Sequence, residues 1–180
     1  MTPYGTERLV LRVWCVAIGC VLAFAASGCG QSPAENSPIQ PIAFSHKVHA
    51  GENSLDCQFC HAYARRAPVA GVPSLQRCDG CHRAMIAAKT EAVATKPEVQ
   101  KLMDFVEKKE PIPWVRVYIL PDHVYFSHRV HVKAQVRCQT CHGQVETMDR
   151  VSQVAPLTMG WCVNCHREQN ASRDCLVCHK

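Results

Sequence analysis

Residues 57–61 read Cys-Gln-Phe-Cys-His, and this pattern, two cysteines three apart with a histidine directly after, decides the fold. It recurs at Cys78, Cys81 and His82, at Cys138, Cys141 and His142, at Cys162, Cys165 and His166, and at Cys175, Cys178 and His179. The five copies account for most of the 13 cysteines in the 180-residue chain. Structural zinc also uses such pairs, but it needs two pairs per metal, so five would leave one unmatched. Zinc also gives no reason for a histidine after every second cysteine. A redox-active pair of the thioredoxin kind would occur once. The pattern is the attachment signature of c-type haem. Two thiols add across the two vinyl groups of the porphyrin, and the next residue places its imidazole under the iron. The sequence therefore predicts five covalently bound haem c groups, with His61, His82, His142, His166 and His179 as proximal ligands.

The chain has ten histidines. Removing the proximal ones leaves His46, His49, His123, His128 and His131, one spare imidazole per haem. The expectation is bis-histidine ligation with these as distal ligands. Methionine is the alternative sixth ligand where a higher potential is needed. Met148 and Met159 lie close to attachment motifs and are the favoured candidates among Met1, Met85, Met103, Met148 and Met159. An iron with two strong axial ligands has no position open for substrate. Such haems pass electrons and do no bond chemistry, which argues against a nitrite- or hydroxylamine-type reductase and predicts no catalytic residue.

An internal repeat organises the rest. Phe44-Ser45-His46-Lys47-Val48-His49 returns as Phe126-Ser127-His128-Arg129-Val130-His131, each copy ahead of a Cys-Gln-x-Cys-His motif. The second motif of each half follows Gly71-Val72-Pro73-Ser74-Leu75 or Ala155-Pro156-Leu157-Thr158-Met159. The body at 42–180 thus divides into di-haem repeats at 42–82 and 124–166, a haem-free insert at 83–123 and a fifth haem at 167–180. Histidines three apart share one face of a helical turn, so each hexapeptide can serve two neighbouring haems. His123 and the fifth haem are left over, which does not by itself pair them. Within the insert, Val99, Leu102, Met103 and Val106 recur at helical spacing after Pro97, which suits a first turn. This predicts an amphipathic helix over 97–110, with its apolar face on a haem or a partner. Pro111-Ile112-Pro113-Trp114 ends it, residues 115–120 read as extended, and Trp114 reads as a packing residue.

Residues 1–29 read as a targeting segment or anchor. Arg8 and Arg12 precede an apolar run at 13–28 that would span about 24 Å as a helix, short of the roughly 30 Å hydrocarbon core. Ala26-Ser27-Gly28-Cys29 has the small residues that precede an acylatable cysteine, with Ala26 where leucine is usual. The alternatives are a lipid on Cys29 or a retained helix from Leu9, with Arg12 reaching the interface. Either puts the body outside the cytoplasmic membrane. Cys15 and Cys20 lie within the apolar run and read as small hydrophobes. Residues 30–41 form a polar tether.

Composition limits the remaining classes. A hydrophobic content of 47% excludes a disordered chain. A formal charge of +5 is too small to indicate nucleic-acid binding. Haem propionates offset it, with Arg65, Arg66 and Arg83 as candidate partners. The body has only about 28 residues per haem, too few for a protein core around each. The macrocycles must form the core, wrapped by short helices and irregular chain with little β structure.

Several stretches are more specific than the haem motifs. They are the run at 57–66, the segments Glu110-Pro111-Ile112-Pro113-Trp114-Val115 and Val124-Tyr125-Phe126-Ser127-His128, and Leu157-Thr158-Met159-Gly160-Trp161-Cys162. With the repeats, they make 42–180 resemble the pentahaem cytochrome c subunit of bacterial alternative complex III. The resemblance implies a mostly irregular and α-helical multihaem cytochrome c of c3/c7-like kind, on the periplasmic face of the cytoplasmic membrane and anchored through its N-terminus. It implies an electron-transfer subunit of a quinol:electron-acceptor oxidoreductase. Implied partners are quinol-oxidising membrane subunits, a large iron–sulfur subunit of molybdopterin-enzyme type, and a monohaem cytochrome c or terminal oxidase as acceptor. Two other functions compete. A free-standing periplasmic electron shuttle would use the same haem chemistry but would not need the anchor or the insert. A multihaem enzyme would need one five-coordinate haem, which the histidine count disfavours.

Overall fold

The computed structural model describes residues 36–180. The apolar run, Cys29 and residues 30–35 of the tether lie outside the described residues. Eight helices are assigned within 36–180: α1 (Cys57–Cys60), α2 (Leu75–Ala87), α3 (Glu91–Ala94), α4 (Pro97–Lys108), α5 (His128–Lys133), α6 (Cys138–His142), α7 (Met159–Glu168) and α8 (Cys175–Cys178). A wide π-turn at Lys47–Glu52 and 3-10 turns at Ala62–Arg65 and Val145–Thr147 complete the regular structure. Among the described residues there is no strand, and Val124 and His179 form an isolated antiparallel bridge. The mostly α, irregular architecture expected from the sequence is observed.

The attachment motifs start helices for a local reason. Asp56 and Asp174, each directly before a first cysteine, cap their helices. Their carboxylates accept from the Gln58 N–H at 2.8 Å and the Leu176 N–H at 2.9 Å. Thr158 Oγ1 does the same for Trp161 N–H at the start of α7, at 3.3 Å. Caps of this kind contribute on the order of 1 kcal/mol each.

The two halves interlock. The π-turn of the first half packs on the Val145–Thr147 turn of the second, and α5 of the second half packs on the Ala62–Arg65 turn of the first. Lys47 N–H donates to Met148 O at 3.0 Å, and Ser45 Oγ donates to the Asp149 carboxylate at 2.8 Å. In return, His128 N–H donates to Pro68 O at 2.9 Å and Arg129 N–H to Ala67 O at 3.2 Å. Each distal segment is thus seated on the other half.

The insert helix forms as its spacing predicts. Pro97 opens α4, Lys109 closes it in a left-handed conformation (φ 56°), and Val99 and Leu102 are buried. Within the chain α4 packs on α2, the helix that carries the second motif. Glu98 at its start accepts from Ala43 N–H at 2.6 Å and pairs with Lys101 at 2.7 Å. Residues 115–120 contain no strand. The Gln40 side chain bonds both backbone groups of Val115, each at 2.9 Å. The polypeptide's own apolar core is small. Among the described residues only Ile42, Ala64, Val99, Leu102 and Ala155 are buried hydrophobics. So few residues cannot supply the burial a domain of this size needs.

Candidate haem-binding site

The structure brings every proximal histidine opposite a spare one. Ring centroids lie 6.4 Å apart for His46 and His61, 6.1 Å for His49 and His82, and 6.2 Å for His128 and His142. They lie 6.0 Å apart for His131 and His166, and 5.6 Å for His123 and His179. A nitrogen-to-metal bond is about 2 Å and the ring centre lies about 1 Å behind the nitrogen, so two imidazoles on one iron have centroids about 6 Å apart. The donor set fits haem iron between paired imidazoles. His123, left over in the sequence, falls against the fifth motif, held there by the Val124–His179 bridge and by Tyr125 N–H donating to Cys178 O at 2.7 Å.

Hydrogen bonding sets the tautomer of six of these rings. Nδ1 lies 2.6 Å from Gly71 O in His61, 2.8 Å from Ser45 O in His49 and 2.8 Å from Pro68 O in His128. It lies 2.8 Å from Ser127 O in His131, 2.6 Å from Ser172 O in His166 and 3.2 Å from His123 O in His179. A carbonyl can only accept, so Nδ1 carries the proton and donates, leaving the Nε2 lone pair for a metal. His46 Nδ1 and His82 Nδ1 are buried without such a partner. Burial, then the nearby His61 and His49, pushes His46 down to about 4. Burial followed by His49 lowers His82, and burial followed by His128 and His61 lowers His142. All three are thereby held neutral, the form that ligates.

The sequence did not reveal the groups that orient these rings. Phe44 stacks on His49 at 4.3 Å and Phe126 on His131 at 4.4 Å. Their repetition in both hexapeptides was the signal available. The Tyr118 ring meets His142 edge-on at 4.5 Å, and its hydroxyl donates to Ser152 O and accepts from Val154 N–H, both at 3.2 Å. This insert residue had been read only as extended apolar chain. Gly71, whose carbonyl holds His61, adopts φ 69°, which its lack of a side chain permits. Arg83, a candidate propionate partner, pairs within the chain with Asp79 one turn earlier at 2.9 Å, and Arg65 bonds the Gln58 side chain.

None of the ten motif cysteines is in a disulfide, so all ten thiols are available for attachment. Burial raises several, and neighbouring thiols raise them further. Cys57 is raised by burial and then by Cys138, Cys78 by burial and then by Cys60. Cys141 is raised by burial and then by Cys165, Cys162 by burial and then by Cys178. These thiols become thioethers on attachment, so the pattern is a record of which motifs are neighbours. Cys57 and Cys138 also line one cavity of about 340 Å³ together with Arg65 and Arg137.

The fold is of the c3/c7-like multihaem cytochrome kind, and two family models match parts of the chain. The class III cytochrome c family matches residues 26–104, and the family of cytochrome c7 and related cytochrome c matches residues 124–180. Proteins of these families carry covalently bound haem c. Among individual relatives, the chain is similar to the multihaem cytochrome c subunit of menaquinone reductase from Nitratidesulfovibrio vulgaris. The two are 28% identical over 167 residues, covering 78% of this chain and 77% of the relative. Among the described residues no helix is long and apolar enough to cross a membrane.

Proposed function

We propose that this chain is the electron-transfer subunit of a membrane quinone-linked oxidoreductase of the alternative complex III type, with five bis-histidine haem c groups. The single observation that carries the reading is the set of five opposed imidazole pairs. In this reading the ten motif cysteines attach the haems, and His61, His82, His142, His166 and His179 are the proximal ligands. His46, His49, His123, His128 and His131 are the distal ones. A haem with two imidazole ligands supplies one-electron chemistry and no open position. The chain's own work is to fix the imidazoles through the backbone carbonyls named above, to keep the rings neutral, and to hold neighbouring motifs close. No residue acts on a substrate. The body lies outside the cytoplasmic membrane, anchored through Cys29 or the apolar run.

The relative's name favours a second direction of flow. That protein is a subunit of a menaquinone reductase, so electrons there run towards quinone. In the alternative complex III reading they run from quinol to a cytochrome c or terminal oxidase, and through an iron–sulfur subunit of molybdopterin-enzyme type. Detergent extraction of native membranes, with capture through a C-terminal tag, separates these readings. Co-purifying subunits with quinol-oxidising activity support the first, and quinone-reducing activity with an external donor supports the second. A lone pentahaem protein makes it a free-standing shuttle.

A further inference from the structure

We infer that the five attachment motifs form one unbranched line whose order differs from the sequence: 78–82, then 57–61, then 138–142, then 162–166, then 175–179. The inference rests on the five-haem reading above. Each link has its own contacts. His46 and His49 on one turn face His61 and His82, so the first two motifs share one distal segment. The Arg77 guanidinium also lies 4.7 Å over the Phe59 ring, tying the residue before Cys78 to the middle of the 57–61 motif. In the second half, His128 and His131 on α5 join the motifs of His142 and His166 in the same way.

The two halves meet through their first motifs. Cys57 and Cys138 line a common cavity, and each first motif is followed by the turn that seats the other half's distal segment. The fifth motif extends the second half, because Ser172, three residues before Cys175, accepts from His166 Nδ1 at 2.6 Å, and His123 reaches His179 from the chain just before the second repeat. The thiols that raise Cys78, Cys60 and Cys81, lie in the first half, as does the Phe59 ring under its neighbour Arg77. The line therefore has a near-twofold centre at the His61 and His142 motifs. Its ends are the His82 motif, whose helix α2 is covered by the insert helices α3 and α4, and the His179 motif at the opposite end. An electron crossing the whole chain comes in at one of these ends and leaves at the other. The three central motifs act only as relays.

The test is proton NMR of the full-length holoprotein in detergent, fully reduced so that every low-spin iron is diamagnetic. Each haem is assigned through its own cysteine β-protons and histidine ring. Cross-haem contacts are expected for four pairs: His82 with His61, His61 with His142, His142 with His166, and His166 with His179. A contact from the His82 haem into the second half, or no contact between the His61 and His142 haems, overturns the line. A second measurement uses Cys175→Ala/Cys178→Ala and Cys57→Ala/Cys60→Ala. The first is expected to remove one cross-haem contact and the second to remove two, and equal losses overturn the assignment of ends. Intact mass and the optical spectrum separate this from failure of the underlying reading. Fewer than five haems, or a high-spin iron in the wild type, overturns bis-histidine ligation. Five low-spin haems in another order overturn the line alone.

Discussion

The two di-haem halves use the same hexapeptide and reach nearly the same ligand geometry through different backbones. Phe44 meets His46 edge-on at 4.9 Å and Phe126 meets His128 at 4.9 Å, with interplanar angles of 86° and 89°. The first hexapeptide nevertheless runs into a π-turn and the second into the α-helix α5. The difference lies in the residues that follow. Gly51 stands where the second half has Lys133, and a Cβ there would collide with Glu146 O. Asn53 adds a side-chain bond to Val48 O at 2.6 Å. The first segment is thus shaped by close approach to the other half, the second by ordinary helical bonding. What the halves share is the position of two imidazoles, so the ligand geometry is the constraint and the backbone is the variable.

The sharpest test of that equivalence removes one distal ring from each half. His49→Ala and His131→Ala should each leave one of five irons five-coordinate. Each variant should bind about one carbon monoxide per chain, against none for the parent. Unequal stoichiometry would break the comparison, and binding to the parent would break the pairing itself.

Gly51→Ala should then separate the halves, because backbone must move to admit the methyl. A loss of about 1–3 kcal/mol is expected, against about 0.5 kcal/mol or less for Lys133→Ala on an exposed helix end. Unfolding midpoints of the two holoproteins read the difference, and equal midpoints would mean the close approach to Glu146 is not a constraint.

How much of this was legible in advance follows from the range of each signal. Haem attachment, the repeat and the α4 helix are set within a few residues, and each was readable from spacing. The packing of α4 on α2 was not readable, because an amphipathic pattern records that a face is buried and not what buries it. The crossing of the halves, with Ser45 on Asp149 and His128 on Pro68, joins residues far apart in sequence and has no local mark. Likewise the carbonyls of Gly71, Pro68 and Ser172 that fix the rings are backbone atoms, which side-chain motifs cannot identify. His123 was countable as spare, but only the bridge to His179 gave it a position.

Hydrogen bonding distinguishes the second imidazole pair of each half. Both rings of the His131 and His166 pair donate through Nδ1, while in the His49 and His82 pair only His49 does. A donating Nδ1 makes the imidazole a stronger ligand and favours ferric iron. The His166 haem should therefore titrate below the His82 haem, by some tens of millivolts for one hydrogen bond, in a redox titration followed by NMR. The reverse order would mean that solvent exposure dominates the second sphere.

Acid probes the centre of the line. In the folded holoprotein an iron-bound His46 cannot take up a proton at Nε2, and burial already disfavours its charged form, so a ring freed on unfolding binds protons below its ordinary 6.5 that the folded chain does not. Stability should be flat above pH 6.5 and fall as pH drops towards 4. His142, also lowered, contributes with the same sign. A thermal midpoint unchanged across this window would mean that neither ring is protonated on unfolding.

The smallest expected effect concerns the serines of the hexapeptide, and here the halves should differ in sign. Ser45 Oγ donates to Asp149 and accepts from Val48 N–H at 3.2 Å, so it both caps its own turn and ties it to the other half. Ser127 Oγ is buried with no partner. Removing Ser45 should cost about 1 kcal/mol, since a hydroxyl bonded to a carboxylate is lost and a turn N–H is left open. Ser127→Ala removes a hydroxyl that lost its water on folding and gained no bond, so stability should stay level or rise by a few tenths of a kcal/mol. Denaturant titrations of Ser45→Ala and Ser127→Ala against the parent holoprotein provide the check. A comparable loss in both would mean that Ser127 has a partner in solution, and that the two hexapeptides are anchored to the opposite halves in the same way.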